Sequence, residues 1–343
     1  MMDPQSIGTA LVEWFRVHHR TMPWRTNSTI YHRLVSEFML QQTQVATVIP
    51  YFNRWIEKFP TLEALAMAPE NDVAKAWEGL GYYARARNLH KTAQILVSQR
   101  RSFLGLWPQT ISEWEKLPGV GHYTARALAS IAQNQPIAVI DGNVIRVLCR
   151  LNAITQPFNS KDQALRFLDP LAQRYLPPDQ SSAYNEAIME LGALICKPGT
   201  PLCGECPIAN ACLGYQNNLD LPHIPKFKKP TYVKKQIERI FLIQNDALLL
   251  HRASSKRLHR IYELPAHDIF PAGCLKEISF KQIGQIRRSI AKEHITEIIF
   301  EARDTTDNYL PENTTYIPLN QIHAITLSGP HRKWLNDCLK KHL

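Results

Sequence analysis

Residues 196 to 212 read CKPGTPLCGECPIANAC, a Cys-x6-Cys-x2-Cys-x5-Cys run that sets Cys196, Cys203, Cys206 and Cys212 in one short loop. No other stretch restricts the fold so strongly, because four thiols this close suit one shared inorganic centre. Pro and Gly between them stop a helix from continuing and let the chain wrap a compact object. Four thiolates from one loop suit a 4Fe-4S cluster. A four-cysteine zinc site normally shows two close Cys-Cys pairs, and this run has one. Disulfides belong to oxidising compartments. The spacing favours the cluster and leaves zinc open.

The chain has seven cysteines, and removing the four leaves Cys149, Cys274 and Cys338 far apart. That odd, scattered remainder predicts a reducing compartment, hence a soluble, cytoplasmic protein. The N-terminus shows no basic segment followed by an apolar core, and no stretch reaches membrane-spanning length. A net charge of +10 over 343 residues points to a polyanionic partner, nucleic acid being the commonest, although the lysines and arginines are spread through both halves.

From Ile7 to about Cys212 apolar residues recur at three- and four-residue spacing, as in VSEFMLQQTQVATVIPYFNRWIEKF and ARALASIAQ, which predicts an all-α domain of roughly 8 to 10 short helices. Thr61 and Ser112 each precede such a stretch, and only Ser112, with Glu115 three residues on, forms a capping-box pattern. The segment NNLDLPHIPKFKKPTYVKK is proline- and lysine-rich without amphipathic period and reads as a linker. Beyond it, QIERIFLIQNDALLLHRAS and TEIIFEARDTT read as strands, RRSIAKE as a connection or short helix, and LSGPHRKWLNDCLKKHL as a closing helix. The predicted domains are therefore 1–216 (helical, cysteine loop 196–212), 217–235 (basic linker) and 236–343 (mixed α/β).

Three further features carry chemistry. LPGVGHYTA, residues 117 to 125, sets Pro-Gly-x-Gly between two helical stretches. Its glycines let backbone N–H groups and the second helix's positive end meet a phosphate, a reading favoured here over an ordinary tight turn. Asp141 in AVIDGNVIRVLCR reads by itself as an N-cap, and as a carboxylate able to stabilise positive charge on a sugar if DNA lies against the hairpin. Glu37 in VSEFMLQQTQ sits among Phe38, Met39 and Leu40. A glutamate on a helix is usually solvated; partly buried, it would have a raised pKa and serve as a general acid near neutral pH.

Taken together, MPWR (22–25), SEFMLQQTQV (36–45), WEGLGYYARARNLH (77–90), LPGVGHYTA, IDGNV, YNEAIMELGALIC (184–196) and the four cysteines resemble the endonuclease III superfamily of helix-hairpin-helix DNA glycosylases, in its adenine DNA glycosylase branch. The resemblance covers nearly the whole chain. It implies an N-terminal all-α helix-hairpin-helix glycosylase fold with a 4Fe-4S loop on Cys196, Cys203, Cys206 and Cys212, and a C-terminal α/β Nudix-like domain. The implied partner is double-stranded DNA holding adenine opposite 8-oxoguanine or guanine, which predicts association with the nucleoid; the sequence carries no strong oligomerisation signal, so a monomer is the default.

The resemblance also implies roles. Glu37 would protonate adenine at N7, Asp141 would stabilise or attack the sugar, and Tyr123 and Asn143 would orient Asp141 and the water. Arg20, Met22, Trp24, Arg25 and Glu186 match the adenine pocket, and Gln41, Gln42, Thr43, Gly119, Val120, Gly121 and His122 match DNA contacts, Gln42 as the wedge in the base stack. The lyases of the superfamily place a lysine nucleophile where this chain has Tyr123, so no Schiff-base chemistry is expected. The other readings are an endonuclease III-like lyase acting on oxidised pyrimidines and a non-catalytic DNA-binding paralogue. Presence of Glu37, Asp141 and Glu186 opposes the second, and Tyr123 the first.

In the C-terminal part the Nudix signature Gly-x5-Glu-x7-Arg-Glu-x2-Glu-Glu is absent, which predicts a recognition module without pyrophosphatase activity. Where the family often shows Phe-Ser-His, this chain has Lys292-Glu293-His294, leaving His294 as the candidate lesion contact.

Overall fold

The computed structural model describes residues 3–26, 28–100, 107–228, 232–252, 261–271, 274–276, 279–290, 293–305 and 310–342. They fall into two compact units, Met1–Ala66 with Lys91–Lys229, and Met67–His90 with Pro230–Leu343. The sequence reading keeps residues 1–216 together. The second unit instead takes in Met67–His90, because Tyr83 donates its hydroxyl to the Leu327 carbonyl at 2.7 Å, Lys75 reaches the Ile325 carbonyl at 3.2 Å, and Arg332 pairs with Glu78.

Helices α1 (Pro4–His18), α2 (Pro23–Thr26), α3 (Ile30–Leu40), α4 (Val45–Lys58), α5 (Leu62–Met67), α6 (Glu70–Ala76), α7 (Ala84–Arg100), α8 (Ile111–Glu115), α9 (His122–Ala127), α10 (Gly142–Leu151), α11 (Lys161–Arg174) and α12 (Ser181–Leu194) precede the cysteine run, more than the 8 to 10 that periodicity suggests. The excess lies in pieces such as α2 and α8, too short to show a period. Thr61 caps α5 through the Ala64 N–H at 3.1 Å. The capping box of α8 is Thr110 with Glu113, not Ser112 with Glu115: Thr110 Oγ1 accepts the Glu113 N–H at 3.2 Å, and Glu113 accepts the Thr110 N–H at 3.2 Å. Ser112 already lies inside the helix, where its hydroxyl cannot meet an orphan N–H. The core of this unit gathers α1, α10, α11 and α12 around Leu11, Leu148, Leu168 and Leu191.

Residues expected as a free linker also belong to this core. Leu221 and Ile224 are buried in it, and Lys226 and Lys228 bracket Phe158 by backbone hydrogen bonds of 2.9 and 3.1 Å. Proline and lysine enrichment concealed two apolar anchors.

In the second unit β1 (Val233–Gln244), β2 (Ala247–Arg252), β3 (Tyr262–Glu263), β5 (Ser279–Ile290), β6 (Glu293–Ala302) and β8 (Thr314–Pro318) form one sheet ordered β3-β2-β1-β6-β5, with β8 beside β2; β4 (Leu275–Lys276) pairs with β7 (Asp304–Thr305). β1 runs parallel to β6 and antiparallel to β2. Its run Ile240, Phe241 and Leu242 is continuous rather than alternating because both faces are covered: Phe241 packs with Leu335 of the closing helix α13 (Gly329–His342), while Ile240 and Leu242 pack with Phe270 on the other side. The described residues of RRSIAKE are strand, where a connection or short helix is expected. Arg287 to Ile290 end β5 and Glu293 begins β6. The misleading polarity has a cause: Arg288 points inward to Glu263 at 2.8 Å and Glu297 at 3.0 Å, in a buried network that also holds Arg239 and His331. Lys292 of the Lys292-Glu293-His294 stretch lies outside the described residues.

Candidate active site

The site lies within the helical unit. On α3, Thr29 accepts the His32 N–H and starts a helix whose residues Tyr31 to Met39 are almost all buried, Glu37 among them at 8% exposure. Burial pushes the Glu37 carboxyl up to about 7; Arg33 opposes this, while the charges of Glu186 and Asp141 add to it. Asp141 caps α10, and its Oδ1 accepts the Val144 N–H at 2.8 Å while Oδ2 accepts from Asn143 Nδ2 at 3.1 Å. Burial raises its pKa too, against hydrogen bonds from the Val144 and Asn143 backbone N–H groups and the charges of Lys161 and Arg146. Tyr123, near the start of α9, is raised well above the ordinary phenol range by burial and then by Glu37 and Asp141. The structure thus brings Glu37, Tyr123, Asp141 and Asn143 into one electrostatic neighbourhood.

Beside them runs a network of ion pairs. Glu186 on α12 meets Arg25 at 2.8 Å and Arg33 at 2.7 Å; Glu190, one turn on, meets Arg20 at 2.8 Å and Arg25 at 3.2 Å. Burial pushes against ionisation of Glu190, yet the hydrogen bonds from Arg20 and the charge of Arg25 hold its carboxyl below the usual range. Met22 and Trp24 are buried, and Trp24 packs edge-on against Phe52 at 5.3 Å. Arg33 and Glu190 escaped the sequence reading. Each stands four residues from a residue that was singled out, Glu37 and Glu186, so helical spacing carried the signal.

The hairpin joins α8 to α9. Gly119 has φ +76°, Val120 donates its N–H to the Leu117 carbonyl at 3.1 Å, and Gly121 caps α9 with open space around it. Val120 is buried, whereas Gly121 and His122 are exposed. Gln41 binds the hairpin, donating to the Gly119 carbonyl and Thr124 Oγ1, both at 3.3 Å. Gln42 is exposed with φ +59°, and Thr43 follows with its N–H on the Leu40 carbonyl at 3.2 Å.

Arg146 joins the site to the cysteine run. It donates to Asn143 Oδ1 at 2.9 Å, the Gly192 carbonyl at 2.7 Å and the Cys196 carbonyl at 2.7 Å. A Cβ at Gly192 would stand 2.6 Å from the Asn143 Cβ and 3.3 Å from its Cα. Gly192→Ala is therefore expected to destabilise by about 1–3 kcal/mol and to impair activity by moving Asn143 off Asp141; urea titration and a base-release assay check both.

None of the four run cysteines is in a disulfide, and all line one cavity with Arg150, Pro201 and Tyr215. Arg150, buried, donates to the Lys197 carbonyl at 2.8 Å and the Gly199 carbonyl at 3.1 Å and comes within 3.5 Å of Cys196 Sγ. Among the described residues no three His, Cys, Asp or Glu side chains stand close enough to hold a single ion. His294 belongs to the second unit, where its ring stacks on Tyr232 at 4.4 Å and its Nδ1 lies 2.8 Å from Ser289 Oγ.

Residues 35–173 match the model of the HhH-GPD superfamily of base excision DNA repair proteins. An adenine DNA glycosylase of Buchnera aphidicola from Schizaphis graminum is 32% identical over 251 residues, covering 72% of this chain and 71% of that protein. The chain belongs to the adenine DNA glycosylase family. The rat adenine DNA glycosylase is 44% identical over 222 residues, covering 62% of this chain, and the chain spans 42% of that relative's length. Solved structures of a thermostable thymine-DNA glycosylase (TM-score 0.54, 24% identity, 62% of this chain and 97% of that one) and of endonuclease III in a non-covalent complex with DNA (0.51, 24%, 64% and 99%) share the helical fold. Family membership and the buried acid on α3 thus converge on the same unit.

Proposed function

We propose that the protein is a monofunctional adenine DNA glycosylase that hydrolyses the N-glycosidic bond of adenine opposite 8-oxoguanine or guanine in duplex DNA. The observation that carries this is Glu37, a carboxyl held protonated to about pH 7 inside a helical core, beside Asp141, whose oxygens are hydrogen-bonded. Two carboxyls in unlike surroundings are the arrangement for splitting a glycosidic bond. In this reading the adenine is flipped out of the stack. Glu37 gives its proton to N7, the C1′–N9 electron pair leaves with the base, Asp141 stabilises the oxocarbenium-like sugar, and water adds at C1′. Asn143, held by Arg146, fixes Asp141 Oδ2, and Tyr123 stays a neutral phenol beside both acids. The hairpin and the exposed Gln42 face DNA.

The four thiols fit a 4Fe-4S cluster. They line one cavity and are not paired as disulfides, and their spacing has one close Cys-Cys pair where a four-cysteine zinc site normally has two. When bound, such a cluster supplies iron–thiolate bonds that hold the loop 196–212 in one shape. Glycosidic hydrolysis transfers no electrons, so the residues' part is mechanical: Cys196 anchors the loop whose carbonyl receives Arg146. The second unit is read as a Nudix-like recognition module, with the exposed Tyr232–His294 stack and Ser289 as its candidate lesion contact.

The test uses duplexes with adenine opposite 8-oxoguanine and with thymine glycol, each with and without alkali. Strand cleavage of the first duplex only after alkali is expected. Cleavage without alkali, or action on thymine glycol alone, would replace this reading with the lyase.

A further inference from the structure

Arg33 precedes Glu37 by one turn of α3, so both side chains leave the same face of the helix. Its side chain is 9% exposed and its donors are committed: Nε to Ser28 Oγ at 2.8 Å, and the two terminal nitrogens to Oε1 and Oε2 of Glu186 at 2.7 and 3.1 Å. This is a two-pronged grip on a carboxylate, which fixes orientation as well as charge. Arg25 Nε takes Glu186 Oε1 at 2.8 Å as well, so the carboxylate is clamped by two guanidinium groups.

The charges do not cancel. Arg20, Arg25 and Arg33 face Glu186 and Glu190, which leaves one positive charge in surplus. Glu37, one turn along α3 from Arg33, feels that charge. The other groups facing Glu37 are Asp141 at the head of α10, Glu186 on α12 and the Tyr123 phenol on α9, and none of these is a cation.

We propose that Arg33 is a positioning residue for adenine excision: its fork sets the Glu186 carboxylate in the pocket, and its charge stabilises the Glu37 carboxylate left once the proton has passed to the base. This rests on the reading of Glu37 as the acid. When the Glu37 O–H bond breaks and the N7–H bond forms, the adenine gains a positive charge and Glu37 a negative one. Without Arg33 that new charge would appear beside Asp141 and Glu186 with no cation on its own helix. The effect agrees in direction with Arg33 acting against the rise in the Glu37 pKa.

A merely structural ion pair would leave the pH profile alone, so the profile is the readout. Single-turnover release of adenine opposite 8-oxoguanine is measured from about pH 5.5 to about 9 for the full chain, Arg33→Met and Arg33→Lys, with thermal unfolding of each followed in parallel. Wild-type activity should decline through about pH 7. In Arg33→Met the decline should move up by about one pH unit, and the low-pH rate should fall about tenfold, since a weaker acid protonates less effectively. Arg33→Lys keeps the charge and loses the fork, so its decline should stay in place while its low-pH rate falls.

A folded Arg33→Met with the wild-type decline and rate would overturn the proposal. If Arg33→Met does not fold, Arg33→Lys decides: a wild-type rate overturns it. Wild-type protein that releases no adenine fails the functional reading itself, and that result is visible before any variant is made.

Discussion

Glu37→Gln should lower single-turnover adenine release by about 10²–10⁴-fold while making the protein more stable at neutral and alkaline pH. Both effects come from one fact, that the folded protein holds this carboxyl protonated up to about pH 7 against an ordinary value of 4.5. The folded state therefore binds more protons than the unfolded chain between these values, and its stability declines as pH rises through that window. Below it both forms of the side chain are neutral, and Glu37→Gln changes little. Above it the wild type loses about 3 kcal/mol that the amide does not. Urea unfolding at pH 4.5 and pH 8 reads the difference. If the difference between the two stabilities stays constant across that range, Glu37 titrates normally and is not the acid.

Glu190→Ala should be the most destabilising of the site substitutions, by about 3–5 kcal/mol, because it strips a buried partner from two arginines at once. Arg25 is nearly enclosed, with 13% of its side chain exposed, so its charge has no easy route to water. Arg20 is different, at 40% exposed, and can swing outward. The magnitude therefore reports which arginine dominates. A loss below about 1 kcal/mol in urea unfolding would mean that Arg20 swings out to solvent and that Glu186 alone suffices to hold Arg25. Glu190→Gln, which keeps the shape and one acceptor oxygen, should recover part of the loss.

The two effects together describe a site in which charge is buried deliberately on one side and withheld on the other. Glu186 and Glu190 are matched by arginines, whereas Glu37 is left with Arg33 alone, already engaged by Glu186. That asymmetry is what separates an acid from a structural carboxylate on neighbouring helices.

Much of this architecture was legible in the chain. The cysteine run, the Pro-Gly-x-Gly hairpin and the Asp-Gly-Asn start of α10 are local signals, set by Pro, Gly and cap chemistry within a few residues, and they appear where they were expected. The strand IFLI and the closing helix were readable for the same reason. Errors arose where side chains override local pattern. Arg288 made the end of a strand look like a connection because it is buried by partners on other strands, and Leu221 and Ile224 made a linker into core.

The amino-acid sequence alone determined which residues are candidates for chemistry, since Glu37, Asp141 and the four thiols stand in short patterns whose meaning is local. Tertiary structure alone decided what state those residues are in. The raised pKa of Glu37 needs α9, α10 and α12 packed around α3, and its neighbour Arg33 is positioned by Glu186, 153 residues away. Desolvation and paired charge depend on distance in space, and one-dimensional spacing cannot supply them.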